Sequence, residues 1–371
     1  MDCRSFDEQL VRRDPRVADL MDKFVCVRIV QANGTDLSLF QFDYDLTFAA
    51  FFMNADKTIY GRFGIRSSRK DAMKDMAMQG FRKSLEAALE LHKKYPSNQA
   101  SLAGKRGPAP RFNVPEEYPS LRGKYKSTLD YEGQVVQSCI HCHQVRDAEL
   151  RLFRDSRKPI PDDVLYAWPM PSVAGLALDP MEKAQIANVA PGSMAARDGF
   201  RMGDVILSID GQPIISLADV QWVLHNSPDP GKLKAEVLRG RKKIHLTLNL
   251  DKGWRRKTDF AWRTTTWDLR RMSTGGLVLR ELTDEQRQSA NLTDAGVALS
   301  VEHVSQYGDH AAAKRAGFQQ NDVIVSVDGK SQRMTESELI AHLVQNKLPG
   351  DKIPVTVWRG GQRMNLELPM Q

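Results

Sequence analysis

Between residues 14 and 94 the apolar positions fall into short runs and one helical stripe, a pattern that predicts an α/β unit. Asp14-Pro15 suits a helix start, and Arg16 to Met21 carries the helix on. Phe24 to Val30 is an apolar run with several β-branched residues, as expected of a buried strand. Phe48 to Met53 is a second run; the polar turn Asn54 to Lys57 then returns the chain through Thr58 to Arg62 as a hairpin. From Asp71 to Lys94, residues Met73, Met76, Ala77, Phe81, Leu85 and Leu89 recur at helical spacing with polar residues opposite. The Met-rich stripe reads as core packing.

Beyond residue 95 the pattern lapses. PSNQASLAGKRGPAPRFNVPEEYPS is rich in Pro, Gly, Ser and Lys and predicts a linker. Gln144 to Arg157, with Val145, Leu150, Leu152 and Phe153 among charges, predicts a helix that Lys158-Pro159-Ile160-Pro161 ends. Then the chain repeats itself. RDGFRMGDVILSIDGQPI (197–214) pairs with RAGFQQNDVIVSVDGKSQ (315–332), matching Gly199, Asp204 and Gly211 to Gly317, Asp322 and Gly329. Each copy continues into a helix-like run (216–224 and 337–344) and a strand pair around Arg-Gly. In each, an apolar strand runs into an Asp-Gly reversal, the composition of a tight turn.

The first 95 residues, through CRSFDEQLVRRDPRVADLMDKFVCVRI and FAAFFMNADKTIYGRFG, resemble the thioredoxin-like fold. The resemblance implies that Cys3 is the second cysteine of a Cys-x-x-Cys pair at a helix start, a possible redox thiol. It also implies that the chain continues upstream of Met1. Asp45-Leu46-Thr47 stands where that family has its cis-proline, so the resemblance departs from the family there.

The two later copies resemble PDZ domains of the bacterial type, found in HtrA-like proteases and related proteins. The resemblance implies a multidomain fold: an α/β thioredoxin-like domain (1–95), a linker plus helical Cys-x-x-Cys-His segment (96–171), and two mainly β PDZ-like domains. These last are small barrels with capping helices, at 172–252 and 275–371, joined by a Trp/Arg-rich connector (253–274). It further implies that Gly175-Leu176-Ala177-Leu178 and Gly276-Leu277-Val278-Leu279 are carboxylate-binding loops, whose amides capture a peptide's terminal carboxylate while the strand edge accepts its backbone. Leu176, Leu178, Leu277 and Leu279 would floor the grooves, with Val220, Leu224, Leu339 and Leu343 on the helix side. A polar insert, Glu281 to Gly296, is expected to occlude or alter the second groove. In the connector, Trp254, Trp262 and Trp267 lie among five Arg and one Lys, which reads as aromatic packing with stacked guanidinium groups.

The formal charge of +7 is scattered along the chain, so it argues against a nucleic-acid surface. No apolar stretch reaches the roughly 18 residues of a membrane span. Met1-Asp2-Cys3-Arg4 is not a secretory leader. Taken as given, the chain is cytoplasmic; with a leader ahead of Met1 it is periplasmic or in the cell envelope. Of the four cysteines, Cys139 and Cys142 have chemically meaningful spacing, in SCIHCH (138–143). Cys-x-x-Cys-His is the attachment signature of c-type haem, with Cys139 and Cys142 as thioether sulfurs, His143 as proximal ligand and Met170 as distal candidate. Zinc or copper on Cys139, His141, Cys142 and His143 is the alternative, then a redox pair, then no cofactor.

A serine peptidase needs a nucleophile in a small-residue turn near a histidine and an acid. No such turn precedes residue 172, and Ser193 in Pro191-Gly192-Ser193-Met194 suits a helix cap. The sequence therefore favours a non-proteolytic protein that binds peptide or protein C-termini, with a thiol-redox or electron-transfer protein as the alternative. Enzymatic activity is disfavoured, a protease above all.

Overall fold

A computed structural model describes residues 8–371 apart from positions 11, 47, 67, 69–76, 293 and 294. The chain divides into two compact units, 1–145 with 166–258 and 146–165 with 259–371.

In the first unit, β1 (Ala50–Met53) and β2 (Ile59–Phe63) form the expected antiparallel hairpin. Its turn closes with Lys57 N–H on Asn54 O at 2.9 Å. Helix α1 (Met78–Lys93) lays Phe81 against Phe52 and Phe63, with ring centroids 5.9 and 5.1 Å apart. The predicted residues Met73 and Met76, like Cys3, lie outside the described residues.

Phe24 to Val30 is not a strand. Its residues Val25, Val27, Ile29 and Val30 are 95%, 80%, 54% and 64% exposed. An apolar run becomes a buried strand where a neighbour offers a backbone ladder, and the named strands before residue 142, among the described residues, are β1 and β2. Among the described residues this two-stranded hairpin, with a short helix at Ala18–Met21 and a longer one at Met78–Lys93, does not make up a thioredoxin-like sheet.

The Pro/Gly-rich stretch after residue 95 is not a free linker either. Leu102, Lys105, Tyr118 and Leu121 are buried, and Trp222 Nε1–H donates to Gly104 O at 2.9 Å. Its glycines permit close approach: a Cβ on Gly107 would lie 2.8 Å from the Trp222 ring.

Helix α2 (Cys142–Asp155) begins in the first unit and continues in the second. The rest of the first unit is the first repeat copy. β3 (Leu176–Leu178) pairs with β4 (Ile186–Val189), and β5 (Val205–Ile209), β6 (Gln212–Pro213), β7 (Gly231–Arg239) and β8 (Lys242–Leu250) form a sheet in the order β6-β5-β7-β8. Ile186 N–H to Asp204 O (2.8 Å) and Ile206 N–H to Ala184 O (3.0 Å) join the two sheets. Helix α3 (Leu217–His225), N-capped by Ser216, closes a core containing Ile186, Ile206, Trp222, Leu224, Val237 and Trp254.

The second unit holds the second copy. Helix α4 (Thr266–Thr274) precedes β9 (Leu277–Glu281), β10 (Leu299–Val304) and β11 (Val323–Val327). Helix α5 (Glu336–Asn346) follows, then β12 (Lys352–Arg359) and β13 (Gln362–Pro369), in a sheet ordered β13-β12-β11-β10-β9.

The repeat has a physical basis. Asp210-Gly211 and Asp328-Gly329 have positive φ at both residues (47° and 75°; 52° and 74°), as a tight hairpin reversal requires. The fully buried carboxylates of Asp204 and Asp322 take two bonds each from Arg239 (2.7 and 2.8 Å) and Arg359 (2.6 and 2.7 Å). The same guanidinium groups reach Gly199 O and Gly317 O, both at 2.8 Å. Burial pushes the Asp204 carboxyl up, but its bonds to Arg239 prevail and hold it below the usual range.

Candidate peptide-binding grooves

In the first copy, Pro171–Ala174 makes a single 3₁₀ turn ending at Gly175, whose φ is 90°. No other residue fits there, because a Cβ would lie 2.1 Å from the Ser193 side chain. Gly175 N–H donates to Ser172 O and Gly175 O accepts from Ala190 N–H, each at 2.9 Å. Along the strand Leu176 is buried, Ala177 exposed and Leu178 half-buried; Val220 and Leu224 on α3 are buried in the core. Leu178 packs with Ile65, Met170, Leu217 and Ala218, so the chain's own side chains lie against both β3 and α3. Gln221 Nε2–H donates to Trp168 O (2.9 Å), and the Trp168 ring stacks on His225 at 4.1 Å.

The start of α3 is an electrostatic knot. Lys105 Nζ, fully buried, sits 3.0 Å from Asp219 Oδ1. Asp219 also accepts from Arg62 N–H (3.2 Å) and Ile215 N–H (3.0 Å). Burial pushes the Lys105 ammonium below its usual value despite Asp219. Burial likewise lowers Arg62 to about 10; its guanidinium lies 3.7 Å above the Trp222 ring.

In the second copy, Gly275 and Gly276 have φ of 61° and 88° and lead into β9. Leu277, Leu279, Leu339 and Leu343 are buried, and Val278 is half-buried. Gly276 N–H donates to Arg270 O at 3.0 Å. Leu279 N–H donates to Glu336 Oε1 at 2.9 Å, and Thr274 Oγ1–H donates to Leu277 O at 3.2 Å. Arg270 grips Glu336 with both Nε (2.8 Å) and Nη2 (2.6 Å). α4 packs against α5, β9 and β13. The polar insert contributes a helix, Asp284–Ser289, fixed by a Thr283/Gln286 capping box.

Two PDZ domain models match the sequence, over residues 185–239 and 294–370. The chain carries two PDZ domains. Curated relatives include a probable periplasmic serine endoprotease, DegP-like, of Pseudomonas savastanoi pv. phaseolicola, 33% identical over 190 residues. Another is the periplasmic pH-dependent serine endoprotease DegQ of Escherichia coli K12, 30% identical over 151 residues. These matches cover 50% and 41% of this chain, and 37% and 29% of the relatives, so the chain spans about a third of their length. Among solved structures, an HtrA-type protease with a decapeptide is 27% identical, covering 26% of this chain and 27% of its own, with a TM-score of 0.23. The serine endoprotease from Yersinia pestis is 19% identical, covering 30% and 36%, with a TM-score of 0.22.

The relatives overturn the expectation of a non-proteolytic binding protein and that of a thiol-redox or electron-transfer protein. The relatives matched over 50% and 41% of this chain are named as serine endoproteases, not as binding or redox proteins. Ser193 does cap a helix, accepting from Ala196 N–H at 3.2 Å, ahead of Met194–Arg197 in the first PDZ domain. No helix among the described residues is long and apolar enough to cross a membrane.

The SCIHCH segment lies ahead of the first PDZ domain, pinned through its isoleucine. Asn33 Oδ1 accepts from Ile140 N–H (2.7 Å), Ala32 N–H donates to Ile140 O (2.8 Å), and Asn33 Nδ2 reaches Ser138 O (2.9 Å). Burial pushes both the Cys139 and Cys142 thiols up, away from the lowered pKa of a reactive thiolate. His141 and His143 stack in parallel, 5.7 Å apart, and burial lowers His143. Among the described residues no group of three or more His, Cys, Asp or Glu is placed so as to hold a metal ion. Met170, the distal haem candidate, packs in the first PDZ domain, its sulfur 3.4 Å from Gln221 Nε2.

The sequence did not single out Glu336, Arg270, Lys105 or Asp219. A signal was present for Glu336: Thr335 three residues before Glu338 marks a helix start, and Glu336 is then the first helical residue. In the connector, Arg255 lies 4.7 Å from the Trp254 ring centre and Arg263 5.3 Å from that of Trp262, the stacking expected.

Proposed function

We propose that the protein acts in serine endoproteolysis in the periplasm, its PDZ domains docking the C-terminal ends of polypeptides destined for cleavage. The observation that supports this best is the combination of two PDZ domains with relatives named as DegP-like and DegQ serine endoproteases. Each domain offers a glycine-led loop beside a short edge strand and a facing helix, the arrangement in which an added peptide strand gains main-chain hydrogen bonds. Terminal carboxylates would meet the loops at Gly175 and Gly276 by displacing the carbonyl oxygens of Ser172 and Arg270, which those amides bond in the free chain.

The test follows cleavage of a denatured protein substrate by a DegP-type peptidase with and without the full chain, using substrate with a free or an amidated C-terminus. Faster cleavage of the free-ended substrate, lost on amidation, is the expected result. Cleavage unchanged by the chain, or indifferent to amidation, would refute the proposal.

A further inference from the structure

We propose that α4 is an internal ligand of the second PDZ groove, and that this groove accepts peptides with an arginine or lysine two residues before a free C-terminus. The inference rests on the peptide-docking function proposed above. A peptide adding to β9 needs the outward backbone groups of Leu277 and Leu279 together with the loop amide at Gly276. Val301, opposite Leu279, sends its own N–H and C=O to Asp322 and Asn321, so Leu279 faces away from β10. The chain itself occupies these positions: Arg270 O on Gly276 N–H, Thr274 Oγ1 on Leu277 O, and Glu336 Oε1 on Leu279 N–H.

Arg270 thus plays two parts. Its carbonyl oxygen sits at the loop amide, where a terminal carboxylate would dock, and its guanidinium forms a two-bond pair with buried Glu336. A buried carboxylate demands a cation. Any peptide that displaces α4 must therefore bring its own. Leu279 lies two residues beyond Leu277 along β9, about 7 Å at the rise of an extended strand. An antiparallel peptide whose last residue lies opposite Leu277 then sets its third-from-last residue opposite Leu279, beside Glu336. A guanidinium suits this place better than an ammonium, because it reproduces the planar two-bond fit.

The full chain is titrated with the hexapeptide Gly-Ser-Ala-Arg-Ala-Leu, its glutamine analogue and its C-terminal amide, while hydrogen exchange is followed at Leu269 to Ser273. Arg270→Ala should tighten binding of the arginine peptide at least tenfold. The glutamine peptide should bind at least tenfold more weakly to that variant, and Glu336→Gln should erase the difference. In wild-type protein, saturating arginine peptide should deprotect the α4 amides, a readout that stands if Arg270→Ala fails to fold. Equal binding of the arginine and glutamine peptides, or α4 amides unchanged at saturation, overturns this inference and leaves peptide docking intact. Failure of every peptide, including a free-ended random library, to bind either form overturns both.

Discussion

Replacing Lys105 by methionine tests whether the stretch after residue 95 is part of the first PDZ domain's core. Methionine matches the lysine stem in length, so the loss is electrostatic and leaves little cavity. Nζ sits 3.0 Å from Asp219 Oδ1, and both side chains are fully buried. Removing one partner of a buried pair costs ~3–5 kcal/mol. Asp219 keeps the N–H groups of Arg62 and Ile215, at 3.2 and 3.0 Å, which places the expected loss near ~3 kcal/mol. In a unit of this size that lowers the melting temperature by about 6–12 °C. Calorimetry and urea unfolding followed by tryptophan fluorescence measure it, with exposed Lys94→Met as the control. The pH dependence has a definite sign. Burial lowers Lys105 in the fold, so the unfolded chain binds more protons just below the ordinary lysine value of 10.5. Wild-type stability should therefore gain on that of Lys105→Met as pH rises towards that value. A melting shift under about 2 °C, equal to the control, would refute the buried pair.

Gly80→Ala is expected to destabilise the first unit. An interior helical glycine normally gains ~1 kcal/mol on becoming alanine, but a Cβ on Gly80 would lie 2.1 Å from the Pro180 carbonyl oxygen. Chemical denaturation should show a loss of ~1–3 kcal/mol, and a gain would contradict the contact. Burial raises the Asp268 carboxyl, but bonds from Arg151 and Arg271 outweigh it and hold the group below 3.8. Its contribution is present above that value and is lost as pH falls through the lowered one. Asp268→Asn should therefore cost the second unit ~2 kcal/mol at neutral pH, allowing for the partial exposure of Arg151. The difference should close in acid unfolding, and a gap constant from pH 7 to 2 would count against the assignment.

What could be read from residues alone was local or repeated. The Asp-Gly reversals, the β1–β2 hairpin and helices α3 and α5 follow from turn chemistry and apolar spacing within about ten residues. The duplication also exposed Asp204 and Asp322, although their arginine partners, 35 and 37 residues away, emerge from the fold. The failures were non-local. Phe24 to Val30 has the composition of a strand, but a strand also needs a neighbour, which composition does not specify. Gly104 and Gly107 looked like flexibility and instead let backbone approach Gln212 and Trp222. The polar insert drew attention as the feature altering the second groove, whereas the connector helix α4, valued for its tryptophans, supplies the groove's internal contacts through Arg270.

The bare hexapeptide Val25 to Val30 has a cost of its own. VCVRIV is β-prone, free of proline and glycine, and carries a single charge, Arg28. Displayed to water on several molecules at once, such stretches stack on one another through their main chains. Arg28 is the residue that opposes this, by bringing like charges together in any in-register stack. Neutralising it would turn concentrated solutions of the protein towards fibrous precipitate while the PDZ domains remain folded.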